Sequence, residues 1–206
     1  SINRSLSQLG ITAPQDNRTF AYSGSVMWMP SSGEFGPGGG LGELEHHTNL
    51  ATRFGASACQ ARESRYAPVD QPPKHSQIKM SDGANPFETG ALASGVTVER
   101  LTYQNLSVDA GLKLRGFSFQ GEYTFRRLSD FDATGPVPEN KLIDQGFFVQ
   151  AMHMVVPRHL GLYATYGYID DDFARYPFEV SYGASFYPYG SRSWRLNLHV
   201  INIERS

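Results

Sequence analysis

From Asn105 to Arg126 the chain alternates strictly between apolar and polar residues. Leu106, Val108, Ala110, Leu112 and Leu114 are interleaved with Asn105, Ser107, Asp109, Gly111, Lys113 and Arg115. After Arg115-Gly116, Phe117, Phe119, Gly121, Tyr123 and Phe125 alternate with Ser118, Gln120, Glu122, Thr124 and Arg126. A strand places successive side chains on opposite faces, so a period of two predicts one greasy and one polar face. Arg115-Gly116 is then the tight turn of a long hairpin. The pattern recurs at Phe20–Trp28, Asn49–Ala58, Phe147–Val155, Leu160–Tyr168, Phe178–Phe186 and Trp194–Val200. These segments predict an all-β antiparallel up-and-down meander of about eight long strands. Strands of roughly 9–13 residues suit a tilted crossing of a bilayer.

No hydrophobic run approaches the roughly 18–20 residues that a membrane helix needs. A barrel needs none, because only every second residue of its strands faces lipid. The 206 residues include 21 Gly and 11 Tyr, and 13% are aromatic, as aromatic girdles and glycine-bearing strands would require. Trp28, Phe117, Phe186 and Trp194 fall near one set of strand ends. Phe20, Phe125, Phe147, Tyr168 and Phe178 fall near the other. Two aromatic belts at two depths match the two membrane interfaces. The other architecture with this alternation is a soluble sandwich whose apolar face turns inward. Its strands usually run about 5–6 residues, and it gives no reason to sort the aromatics.

The connections also alternate. Arg115-Gly116, Pro157–His159 and Tyr187–Ser193 are short. Ala61–Arg100, Ser129–Ile143 and Asp170–Pro177 are longer. Outer-membrane barrels have short periplasmic turns and long external loops, which orients the strands and places Pro30–Gly42 in the periplasm. Such barrels begin and end on the periplasmic side with an even strand count. The direction of the first and last strands therefore predicts that 1–206 is one barrel domain of a longer protein, with flanking strands missing at both ends. The final Ile203-Glu204-Arg205-Ser206 lacks the terminal aromatic of such barrels.

The chemistry-bearing motifs are sparse. Net charge is −2 with no basic run, so nothing favours nucleic acid. Cys59 is the lone cysteine. Adjacent His46 and His47 point to opposite faces of a strand, His153 and His199 are isolated, and no metal spacing follows. Gly33–Gly42 lacks the Lys-Ser/Thr of a phosphate loop. Asp170-Asp171-Asp172 reads as a solvated loop. No nucleophile has a recognisable base and orienting group. The expectation is a protein that is not an enzyme and uses no cofactor or metal.

The polar face supplies the candidate site: Arg53, Asp109, Lys113, Arg115, Glu122, Arg126, Gln150, Glu179 and Arg195 lining a lumen. A two-residue turn puts Lys113 opposite Ser118, Gly111 opposite Gln120 and Asp109 opposite Glu122. Two facing carboxylates destabilise a sheet unless a cation intervenes. Arg53, on the preceding strand, is predicted to reach Asp109 or Glu122. The cations of this wall outnumber its carboxylates, which predicts a weak anion preference. The stretch from about Ser64 to Gly95 is interrupted by Pro68, Pro72, Pro73, Gly83, Pro86 and Gly90. It is expected to fold over or into the mouth, with Lys74, His75 and Lys79 bringing positive charge there.

Ser107–Ser118 running into Gly121-Glu122-Tyr123 resembles the phosphate-selective porin O/P-like family. So do Met154–Pro157 leading to Leu162-Tyr163-Ala164, and Trp194–Leu198. The resemblance covers residues 45–206, the C-terminal half of such porins. It implies a sixteen-stranded barrel, a homotrimer in the outer membrane of a Gram-negative cell. The partners it implies are membrane lipid and lipopolysaccharide, with passage of phosphate or other small hydrophilic anions. In that family selectivity depends on arginines and lysines lining a constriction. Two other function classes share the residue pattern: a non-conducting barrel for adhesion or anchoring, and a soluble β-sandwich binding module.

Overall fold

The computed structural model describes residues 2–4, 20–31, 35, 42–65, 67, 72–73, 78–172 and 176–204. They form β1 (Ile2–Arg4), β2 (Phe20–Trp28), β3 (Ala51–Ser64), β4 (Val98–Leu114), β5 (Phe117–Ala133), β6 (Lys141–Val156), β7 (Leu160–Asp171), β8 (Phe178–Phe186) and β9 (Leu196–Glu204). The order in the sheet is the order in the chain. Neighbours run antiparallel, as in Ala164 opposite Tyr182 and Tyr182 opposite Val200. Among the described residues there is no helix. There β9 is bonded to β8 alone, so the sheet is not closed.

The eight expected strands are β2 to β9, and the three-residue β1 precedes them. Three boundaries need correction, the last strand among them, since β9 begins at Leu196 and not at Trp194. Ser129–Ile143 is not a long loop: β5 continues to Ala133 and β6 begins at Lys141, leaving residues 134–140 as the connection. The strand continues through Asp130, whose φ is 53°. Leu128 and Ser129 are buried in succession there. An irregularity of this kind breaks a period-two pattern without ending the strand. Likewise β3 extends to Ser64 and β4 starts at Val98, which shortens the connection between them. Arg115 and Gly116 form the turn between β4 and β5 with φ of 48° and 85°. Positive φ at both central residues matches the right-handed twist of the strands that the turn joins.

The described chain divides into two compact units. The first comprises 1–24, 57–106 and 125–144; the second comprises 25–56, 107–124 and 145–206. Strands β2 to β6 each have a part in both.

In each unit several polar side chains are buried while large apolar strand residues stand exposed. In the second unit Lys113, Ser118, Ser181 and Ser185 are buried. The apolar Val108, Phe117, Tyr182 and Phe186 of the same strands are exposed, as are Leu162 on β7 and Leu198 on β9. In the first unit Glu63, Arg65 and Thr97 are buried while Phe20, Tyr22 and Leu106 are exposed. The covering material comes from connections between strands. In the first unit Ile78, Met80 and Phe87 pack on Val98, Leu101, Leu128 and Leu142. In the second, Leu44 packs with Met152, Met154 and Tyr187. Burial of strand residues such as Leu101, Leu128 and Met152 thus holds the connections down, while Phe20, Leu106 and Val108 stay open.

Candidate functional site: the covered polar face

In the second unit the polar face of β3, β4 and β5 is organised around Phe35. Its ring is buried, and Lys113 Nζ lies 4.7 Å from the ring centroid. The Arg53 guanidinium stands 5.9 Å from the same centroid. Cations over an aromatic face are attracted by about 0.5–2 kcal/mol, most where water is excluded. Gly111 makes the approach possible, since a β-carbon there would lie 2.7 Å from Phe35 Cζ.

Arg53 forms an ion pair with Asp109, Nε donating to Oδ1 at 3.1 Å and Nη2 to the same oxygen. Gly55 leaves the room for this, because a β-carbon there would overlap the Asp109 carboxylate. Glu122 takes a different partner, accepting from Ser107 Oγ at 2.7 Å. The carboxylates that the hairpin register places opposite one another are therefore separated by partners: one holds an arginine and the other a hydroxyl.

Lys113 is fully buried, and its Nζ has no hydrogen-bond partner among the described residues. Its nearest carboxylate oxygen is Glu45 Oε2, 3.8 Å away. Glu45 itself is gripped by Arg192, Nη1 to Oε1 at 2.5 Å and Nη2 to Oε2 at 3.1 Å. Arg192 also donates to the Gly42 carbonyl at 2.8 Å. Two turns upstream and downstream are thereby tied together: the one before β3 and the one before β9.

Glu43 completes the cluster. It accepts from Gly116 N at 2.8 Å and His47 N at 3.0 Å through Oε2. Its Oε1 lies 2.7 Å from His47 Nδ1. Burial pushes the Glu43 carboxyl up, but the Gly116 and His47 hydrogen bonds together outweigh it and hold the group below its ordinary value. Glu43, Glu45 and His47 offer ligand atoms within 4.8 Å of one another. Three such ligands suit a divalent cation in principle. Here the carboxylate oxygens already serve Arg192, Gly116 and His47, so the group acts as a latch on the β4–β5 turn.

In the first unit, Arg126 donates to Asp144 Oδ2 through Nε at 2.8 Å and Nη2 at 2.5 Å. Its Nη1 donates to the carbonyl of Lys79 at 2.8 Å. The connection between β3 and β4 is thus bonded to the polar face by backbone. The Lys79 side chain is exposed. The buried Arg65 donates to the Phe87 carbonyl at 2.9 Å and fixes the same connection.

The structure assembles part of the expected set. Arg53 with Asp109, and Lys113, meet at Phe35; Gln150 donates to Gln120 at 2.6 Å on the same face. Glu122 and Arg126 lie on their strands with the partners just given. Glu179 is half-buried on β8. Arg115 does not line the face: it occupies the turn with its side chain exposed, because a left-handed backbone position there carries the chain around. Arg195 is exposed and precedes β9. Lys74 and His75 lie outside the described residues. Sequence reading missed Phe35, Glu43, Glu45, Asp144 and Arg192. The one signal for them was the spacing Glu43-x-Glu45-x-His47 beside a glycine-rich stretch, a period of two ahead of a strand.

A scan against protein-family models, a search of curated proteins and a search of solved structures each found no match.

Proposed function

We propose that this chain is a wall of a membrane-spanning β-barrel in a bacterial outer membrane and that small hydrophilic solutes pass along its polar face without a cofactor. The observation that carries this reading is the burial of polar side chains beside exposed apolar ones. Val108, Phe117, Tyr182 and Phe186 are exposed on the strands whose Lys113, Ser118, Ser181 and Ser185 are covered. Exposing so many large apolar side chains to water would be costly, at roughly 25 cal/mol per Å². Against lipid tails that cost vanishes, while the polar side chains of the other face keep water or one another.

The anion preference expected from the sequence is weakened by the pairing. Arg53, Lys113 and Arg126 each have a carboxylate within 4 Å, in Asp109, Glu45 and Asp144. Passage with little charge selection fits this wall better than a phosphate filter.

A second reading has its own support. Phe35 is fully buried on the polar face of its unit, and Phe87 is fully buried against Leu101, Leu128 and Leu142 in the other. Apolar residues seated there exclude water, which favours a non-conducting barrel used for anchoring or adhesion. Planar-bilayer recording separates the two. Stepwise conductance supports passage. Stable insertion without current supports anchoring. A protein that stays in solution without detergent overturns both.

A further inference from the structure

The exposed face of the first unit carries a groove of about 590 Å³. That size lies within the range of small-molecule sites. Tyr22, Gly24, Ala58, Leu106 and Phe125 line it. A β-carbon at Gly24 would touch nothing within 4 Å, so the notch is space left by the glycine and not a packing requirement.

One end of the groove is polar. Gln60 and Gln104 line it, with Gln104 Nε2 donating to Gln60 Oε1 at 3.0 Å. Gln60 Nε2 and Gln104 Oε1 keep their hydrogen-bonding capacity. Beside and beyond the amides stand arginines. Arg62 follows Gln60 by one strand repeat on the same face, and its Nη1 donates to Thr102 Oγ1 at 3.0 Å and the Asp130 carbonyl at 2.6 Å. Both acceptors are neutral, so the guanidinium charge is not cancelled. The two-residue turn at Arg115-Gly116 sets Gln104 opposite Arg127, in the register that also brings Ser107 Oγ 3.2 Å from Thr124 Oγ1. Arg127 is exposed, and among the described residues it has no ion pair.

We propose that this groove seats one anionic, phosphate-bearing lipid of the surrounding bilayer, for which phosphatidylglycerol serves as the probe. An acyl chain lies along Gly24 and Ala58 between Tyr22, Leu106 and Phe125. The phosphate is met by Arg127 and Arg62, and the amides of Gln60 and Gln104 hydrogen-bond the ester region between them. Along β3, Ala58, Gln60 and Arg62 run apolar, amide, cation, the order of tail, ester and phosphate along such a lipid. This inference rests on the membrane reading above and specifies one partner within it. The charge on the arginines selects an anionic head over a zwitterionic one.

The test uses the protein in nanodiscs of phosphatidylcholine doped with phosphatidylglycerol, with retained lipid counted by native mass spectrometry after release. The expected result is one phosphatidylglycerol held in preference to phosphatidylcholine. Gly24→Trp, which fills the notch, abolishes the preference. Arg127→Gln weakens it about fivefold, the worth of one cation at a charged lipid surface. Leu162→Trp, a bulky change on the exposed apolar face of β7, leaves it intact. Insertion with equal retention of the two lipids, or a Gly24→Trp protein that still holds phosphatidylglycerol, overturns the proposal while leaving the membrane reading standing. Failure to enter nanodiscs at all overturns both.

Discussion

Phe35 stands on Gly111. A β-carbon at that glycine would come within 2.7 Å of the ring and within 3.2 Å of Gln120 Cγ. Gly111 is therefore the seat on which the connection between β2 and β3 covers the polar face. Gly111→Leu is expected to evict the ring, at about 1–3 kcal/mol for an overpacked site. Phe35→Ala should cost about 3–5 kcal/mol in the parent background and little more in the Gly111→Leu variant, read by urea unfolding. Equal costs in the two backgrounds would show that the ring does not depend on the glycine.

The Arg53–Asp109 pair is sheltered, with side-chain exposures of 24% and 28%. A double-mutant cycle with Arg53→Met and Asp109→Asn should give a coupling of about 1 kcal/mol in urea unfolding. Gly55→Val should remove that coupling by occupying the carboxylate's place. A cycle that closes to zero in the parent would mean that the two charges are hydrated separately.

Glu43 makes the latch sensitive to acid. Its folded pKa is held below the ordinary 4.5, so its contribution is complete above that value. It is lost as pH falls through the depressed folded value. Tyr187 and Leu44 pack together beside the latch, so release should be visible in tyrosine fluorescence. The expected transition lies below pH 4.5 and is absent in Glu43→Gln. A transition that survives this substitution would assign the acid response to another carboxylate.

The two faces of β4 should tolerate charge unequally. Val108 is exposed and apolar, whereas Ser107 lies on the polar face beside Glu122. Val108→Lys is expected to cost about 2–4 kcal/mol in a bilayer, as lysine does at the midplane of a barrel's lipid face. Ser107→Lys gains a carboxylate neighbour and should fold normally. The check is folding yield into lipid vesicles, read by heat-modifiable electrophoretic mobility. Equal yields would reverse the assignment of the faces.

Phe87 is fully buried against the strands by the connection that precedes β4. Phe87→Ala should cost about 3–5 kcal/mol locally and free that connection. Limited proteolysis between residues 78 and 97 is then expected to accelerate, with a rise in conductance if the connection narrows a pore. Unchanged proteolysis would mean that Arg126 and Arg65, through the Lys79 and Phe87 carbonyls, hold it without the ring.

The sequence by itself determined the strands, their order of faces and the β4–β5 turn. Alternation from Leu106 to Phe125 is a consequence of backbone geometry, in which neighbouring side chains must point apart. Arg115-Gly116 needed no more than the local preference of a two-residue turn. Arg53 on Asp109 could be expected as well, because adjacent strands in a meander bring one polar face together. The tertiary structure decided what covers that face. Glu45 meets Arg192 across 147 positions, and Phe35 meets Gly111 only because one connection folds back. Asp144 takes Arg126 through a strand whose start the alternation did not mark. Period and turn type are fixed within a few residues of chain. The path of a connection depends on which apolar surfaces it can bury, and that is settled only when distant strands are in place.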